Sequence, residues 1–281
     1  MNKPKQTIKT RLIELSRSDK STMAKTNLLV ELNGKIAKPD SDAKEIAEVI
    51  KREPNITAAV LRVTNSSAFG QIRRVTDVHR AVTILGLSNL QRIFTAEVLR
   101  SAFQIEDRVL WENLWRHSLG VAVAARNISK YVNPQWSESL FTAGLLHDLG
   151  SFIIFKYLPK ETRAIKKYLE KAPNKMLLEA EIDILGLTHA QIGAIFTKEW
   201  NFPPMIVDCV MQHHFIGKSL HKEMIAVVTL ANNLAKGMEL GASLNLLVEP
   251  MPNWVWAMLP IPENEYVNLI ESIYRDYEEI I

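Results

Sequence analysis

The chain is short of several things. A single cysteine, Cys209, stands among 281 residues, so no disulfide can close within it; this fits a reducing compartment, and the lone thiol reads as a small core residue. No apolar run approaches the roughly 18 residues a membrane span needs. The N-terminal stretch MNKPKQTIKTRLIELSRSDK lacks the apolar centre of a secretory leader, which leads us to expect a soluble cytoplasmic protein without a membrane partner. Neither sign of charge prevails: 34 basic residues face 31 acidic ones, for a net +3, too little to argue for nucleic acid or anionic lipid. Arg73, Arg74, Arg80, Arg92 and Arg100 therefore read as a solvated face. Internal repeats and low-complexity tracts are missing too, and with 47% apolar and 23% charged residues disorder is not the default reading.

Strand-like alternation is also scarce, whereas apolar residues recur at spacings of three and four throughout, which predicts an all-α fold. Residues 42–52 illustrate the pattern. Asp42 and Glu45 match a capping box, Ile46, Val49 and Ile50 share a face, and Pro54 forbids continuation. Gly86 and Gly150 each suit a left-handed helix end. A junction is expected near 108. We read a helical extension over 1–27, an N-terminal helical lobe over 28–108, and a second helical lobe over 109–281. Helices are expected in the second lobe at about 110–130, from Pro134 to Gly150, and at about 151–170, 176–184, 188–200, 204–214, 221–236 and 263–279. The proline-rich stretch 237–262 reads as irregular chain packed through Trp254 and Trp256.

Five of the seven histidines lie on or beside apolar faces. His117 is followed at four, seven and eleven by Val121, Ala124 and Ile128; His147 is preceded by Leu140 and Ala143, with Asp148 one step round the helix. His189 shares a stripe with Ile192, Phe196 and Trp200, His213 follows Ile206 and Val210, and His214 is next to it. His79 and His221 sit among charged residues and read as surface. A lone histidine on an apolar face is usually a core residue with satisfied nitrogens. Four such segments with an aspartate also fit a metal site, because neutral imidazole and carboxylate together suit a divalent cation. Spacing leaves both readings open.

These residues carry a resemblance. EPNITAAVLRVTNSSAFG at 53–70, AVTILGL at 81–87, LWRHSLGVAVAAR at 114–126, AGLLHDLG at 143–150 and THAQIGAIFTKEWNFPPMIVDCVMQHH at 188–214 resemble the HDOD family of the HD metal-dependent phosphohydrolase superfamily, over most of 28–236. The resemblance implies a wholly helical protein whose second lobe is an HD-like helical bundle, acting as a bacterial signalling or regulatory module. It implies candidate metal ligands at His117, His147, Asp148, His189, His213, His214 and Asn232.

The chain departs from the related HD-GYP phosphodiesterases. Ser151 stands in the lysine place after the His-Asp pair, Asn113 stands one turn before His117, Asn232 replaces a late aspartate, and no GYP follows His213-His214. Two divalent ions carry +4, and Asp148 is the one carboxylate the sequence places in the site. The expectation is a degenerate site holding one divalent metal ion in a non-catalytic module that answers to a signalling protein partner or a small ligand. The alternative is a metal-dependent phosphohydrolase acting on a nucleotide or phosphoester. If no ion binds, the same residues form a buried polar network, each histidine oriented by Asp148, Asn113, Ser118 or a backbone carbonyl.

Overall fold

The computed structural model describes residues 7–38, 42–71, 73–244 and 247–280. Residues 1–6 of the expected extension and 245–246 of the irregular stretch lie outside the described residues. Among the described residues all regular structure is helical, as the spacing predicts. The chain forms two compact units: Lys20–Phe103 with Glu199–Phe202, and the described residues up to Asp19 with Gln104–Lys198 and the chain from Pro203 onward.

The smaller unit comprises α2 (Lys20–Ile36), α3 (Ala43–Lys51), α4 (Pro54–Thr64) and α5 (Val78–Ala102). Asp42 caps α3 by accepting from Lys44 N at 2.9 Å, but Glu45 does not close the box, since its carboxylate binds Lys35 at 2.7 Å. Ile46, Ala47, Val49 and Ile50 are buried, and Pro54 begins α4, where a missing N–H costs nothing. Gly86 breaks α5 with φ 73° and ψ 166°. Trp200 packs on Phe103 with ring centroids 5.8 Å apart, and its carbonyl accepts from Asn33 at 2.9 Å.

The larger unit begins with α1 (Ile8–Ser18) and continues through α6 (Arg108–Val132), α7 (Ser137–Leu146), α8 (Leu149–Tyr157), α9 (Pro159–Lys171) and α10 (Leu177–Leu185). Then come α11 (His189–Glu199), α12 (Pro204–Gln212), α13 (Lys222–Gly237), α14 (Asn253–Met258) and α15 (Tyr266–Glu278). Helix α6 is buried on every side from His117 to Ala125, and α13 from Met224 to Asn232; these two and α7 form the centre of the unit. Helix α1 is tied to α8 and α9 by Lys156 on Asp19 at 2.8 Å and by an Arg11–Glu161 ion pair.

Three local expectations need correction. The helix expected at 151–170 is two helices, because Leu158 leaves the helical region and Pro159 starts α9. Gly150 is no left-handed cap; it lies inside α8. The 237–262 stretch is not wholly irregular, since it holds α14; Leu240, Val255, Leu259 and Ile261 do the burying, while Trp256 is 46% exposed and meets Tyr266 edge-on at 6.1 Å. No helix among the described residues is long and apolar enough to cross a membrane.

Candidate metal centre

Helix α7 stops at Leu146, and the next two residues turn before α8 begins. His147 keeps helical angles, but Asp148 at φ −100°, ψ 19° leaves them, so the pair projects inward from the joint between two helices. Gly150 explains how the joint reaches its partners: a Cβ there would lie 1.9 Å from the carbonyl oxygen of His189. Only glycine lets the start of α8 meet the start of α11.

Asp148 is the hub that results. Its Oδ2 lies 4.0 Å from His117 Nε2 and 3.6 Å from His147 Nε2, and its Oδ1 lies 3.1 Å from His189 Nε2 and 3.9 Å from His213 Nε2. All five side chains are buried. Two triads, His117/His147/Asp148 and His189/His213/His214, each bring one ligand atom per residue within 4.8 Å of the others. Asn232 Oδ1 is 3.0 Å from His117 Nε2. The structure thus brings together all seven residues singled out in the sequence.

The outer nitrogens fix what the inner ones can do. His147 Nδ1 donates to Gly144 O at 2.7 Å and His213 Nδ1 to Val210 O at 2.9 Å, since a carbonyl only accepts. His189 Nδ1 donates to Glu181 at 2.8 Å and His214 Nδ1 to Glu249 Oε2 at 3.3 Å. A neutral imidazole has one proton, so the Nε2 lone pairs of His147, His213 and His214 face inward. His189 Nε2 is 3.3 Å from His213 Nε2 and 3.2 Å from His214 Nε2. Lone pairs at such distances repel unless something positive lies among them. A second proton on His189 or a metal ion meets that need. His147 Nε2, wholly buried and close to Asp148, has no hydrogen-bond partner, an orphan that a cation would satisfy. The donor set therefore fits a divalent ion.

The charges agree. Burial would lower His189, but the Glu181 and Asp148 carboxylates outweigh it and raise the ring to about 10, which makes it an imidazolium at neutral pH without a metal. Burial and His147 hold His117 down to about 3. Burial also lowers His147, His213 and His214. Asp148, which burial alone would raise, is held well below the usual carboxylate range by His147, His189 and His117.

Two of these groups are absent from the sequence reading. Glu181 is fully buried and Glu249 is half-buried, which corrects the view that Asp148 is the one carboxylate at the site. Glu181 carried a signal: it shares a face with Leu177, Leu178 and Leu185, and a charge on a buried face must be paired. Glu249 lies in irregular chain and carried none. Asn113 and Ser118 do not orient the histidines; Ser118 Oγ and Ser151 Oγ are buried without partners. His221 is 29% exposed and bonds Asp208 at 2.8 Å.

Fold and pocket together define an all-helical protein built around a histidine-aspartate pair. The model of the HDOD domain matches residues 24–216, and the chain belongs to that family. A curated relative from Treponema pallidum (strain Nichols), an "Uncharacterized protein", is 26% identical over 215 residues, covering 73% of this chain and 40% of that one; the chain thus spans less than half of that relative's length. Among solved structures, an HDOD domain protein with unknown function from Geobacter sulfurreducens matches at 23% identity and TM-score 0.66, over 88% of this chain and 90% of that one. A "Putative signal transduction protein" from Marinobacter aquaeolei VT8 matches at 20% and TM-score 0.70, over 92% of this chain and 57% of that one. At such identities the likeness is one of fold.

Proposed function

We propose that the chain is a non-catalytic regulatory module of the HDOD type that holds one divalent ion in the pocket around Asp148 and answers to a signalling protein or a small ligand. One observation carries the reading: the pocket's carboxylates balance a single ion. Asp148, Glu181 and Glu249 are matched by one divalent ion together with the Lys236 ammonium, which lies 3.8 Å from Glu249. A second ion would leave uncompensated charge in a buried site, at a cost of several kcal/mol. His189, His213 and His214 would hold the ion, with Asp148 Oδ1 beside them at 3.1 Å from His189 Nε2 and Glu181 and Glu249 fixing ring orientation from behind. Such an ion, when bound, polarises a ligand oxygen or water. Turnover needs in addition a clamp for phosphoryl charge, and where a lysine would serve the chain has the buried Ser151 hydroxyl.

A second reading, a two-ion phosphohydrolase, is favoured by the two faces of Asp148, whose oxygens address different triads. Metal content of protein purified without chelator, measured with turnover of a generic phosphodiester, separates them. The module binds about one ion and turns over nothing above the Asp148→Ala background; two ions with turnover that this substitution abolishes would replace it with the hydrolase.

A further inference from the structure

Of the two triads, the one containing His214 adjoins an open cavity. His117, His147 and His213 are sealed, whereas His214 lines a groove of about 830 Å³ between α10, α11 and the chain following α12. The rim of the groove is unusually apolar for a surface: Ile182 is 47%, Met211 42% and Phe215 70% exposed. Large apolar side chains left in water around one concavity mark a binding site more often than a bare surface.

Its polar groups have a definite bias. Gln191 Oε1 accepts from Thr188 N at 3.0 Å, and Gln212 Oε1 accepts from Gly217 N at 2.7 Å. Each carboxamide has committed its acceptor to the backbone, which leaves the NH₂ groups as spare donors. The charged groups are already engaged: Lys175 pairs with Glu179 at 2.6 Å, and Asp183 accepts from the Tyr168 hydroxyl at 2.9 Å. An apolar rim over amide donors calls for a ligand with an apolar body and an acceptor head.

We infer that this groove binds an amphipathic small molecule. An alkyl or aryl body lies along Ile182, Met211 and Phe215, and a carboxylate head accepts from the Gln191 and Gln212 amides beside His214. The inference deepens the proposed function by giving the small ligand a chemical class, and rests on that reading only for the regulatory meaning of the binding.

Decanoate titrated into the full chain by calorimetry, with methyl spectra of ¹³C-methionine locating the contact at Met211, tests it. One decanoate per chain, a saturable Met211 shift, and decanol at least tenfold weaker are expected. Phe215→Ser and Ile182→Ser, both at exposed positions, weaken decanoate at least tenfold. So does Gln191→Glu, which keeps the acceptance from Thr188 N but turns the spare donor into an anionic oxygen. Saturation absent below the micellar range, decanol equal to decanoate, or affinity unchanged in the variants would overturn the proposal; the decanol comparison needs no variant to fold. Metal content measured on the same samples keeps the two readings apart, because decanoate bound by an ion-free chain counts against the metal module and not against the groove.

Discussion

Glu181 grips His189 twice, its Oε2 accepting both the backbone N–H at 2.8 Å and the ring Nδ1–H at 2.8 Å. One carboxylate thus satisfies an otherwise orphaned N–H at the start of α11 and dictates which ring nitrogen faces Asp148. Glu181→Gln keeps the shape but removes the charge. We expect the His189 pKa to fall from about 10 and the metal-free chain to lose about 3 kcal/mol, the scale of breaking a buried ion pair. Urea unfolding near neutral pH and histidine titration by NMR check both.

The pH dependence of stability follows from opposite shifts in one pocket. His189 sits at about 10 in the folded chain against 6.5 for the ordinary imidazole, so its contribution is complete below about 6.5 and lost as pH rises through about 10. His117, His147, His213 and His214 are lowered. Their contribution is complete above about 6.5 and lost as pH falls, through about 3 for His117. The metal-free chain should have its highest urea midpoint near neutrality. An undiminished midpoint at about pH 9.5 would show that His189 is not an imidazolium.

Helical periodicity made most of this pocket legible. His117, His189 and His213 were placed by the apolar residues that share their stripes, and each stripe is buried as read. Periodicity says nothing of what one helix does to another. Gly150 reads as a cap because its true constraint, the carbonyl of His189, lies 39 positions away in the sequence. Glu249 approaches His214 from irregular chain that has no period to read. The exposed rim at Phe215 was equally silent, since a local pattern does not say whether an apolar residue finds a neighbour.

Metal binding should be selective and should release a proton. The inward donors are mostly imidazole, which suits zinc or nickel ions better than magnesium. His189 Nε2 must lose its proton to bind, and about one proton per ion is expected in calorimetry run in buffers of different ionisation enthalpy. Asp148→Asn removes the anionic oxygen that faces four of the rings and should weaken the ion by roughly 100-fold, the upper end of what loss of an outer-shell partner costs. Equal affinity for magnesium and zinc would speak against histidine ligation.

Gly150 and Gly34 make a matched pair of alanine substitutions. Both lie in helices, where alanine is intrinsically better than glycine by about 0.5–1 kcal/mol. A Cβ on Gly34 meets nothing within 4 Å, so Gly34→Ala should stabilise the chain by about that amount. At Gly150 the added carbon would sit 1.9 Å from His189 O and 2.9 Å from Gly193 N. Both are backbone atoms and cannot rotate away, so α8 and α11 must separate. Overpacking of this kind costs about 3 kcal/mol or more, and the displacement carries Asp148 away from His189 Nε2, now 3.1 Å distant. Gly150→Ala should therefore lose stability and metal affinity together, measured by urea unfolding and metal titration. Retention of full metal affinity in a folded Gly150→Ala protein would show that the approach of these two helices does not set the geometry of the site.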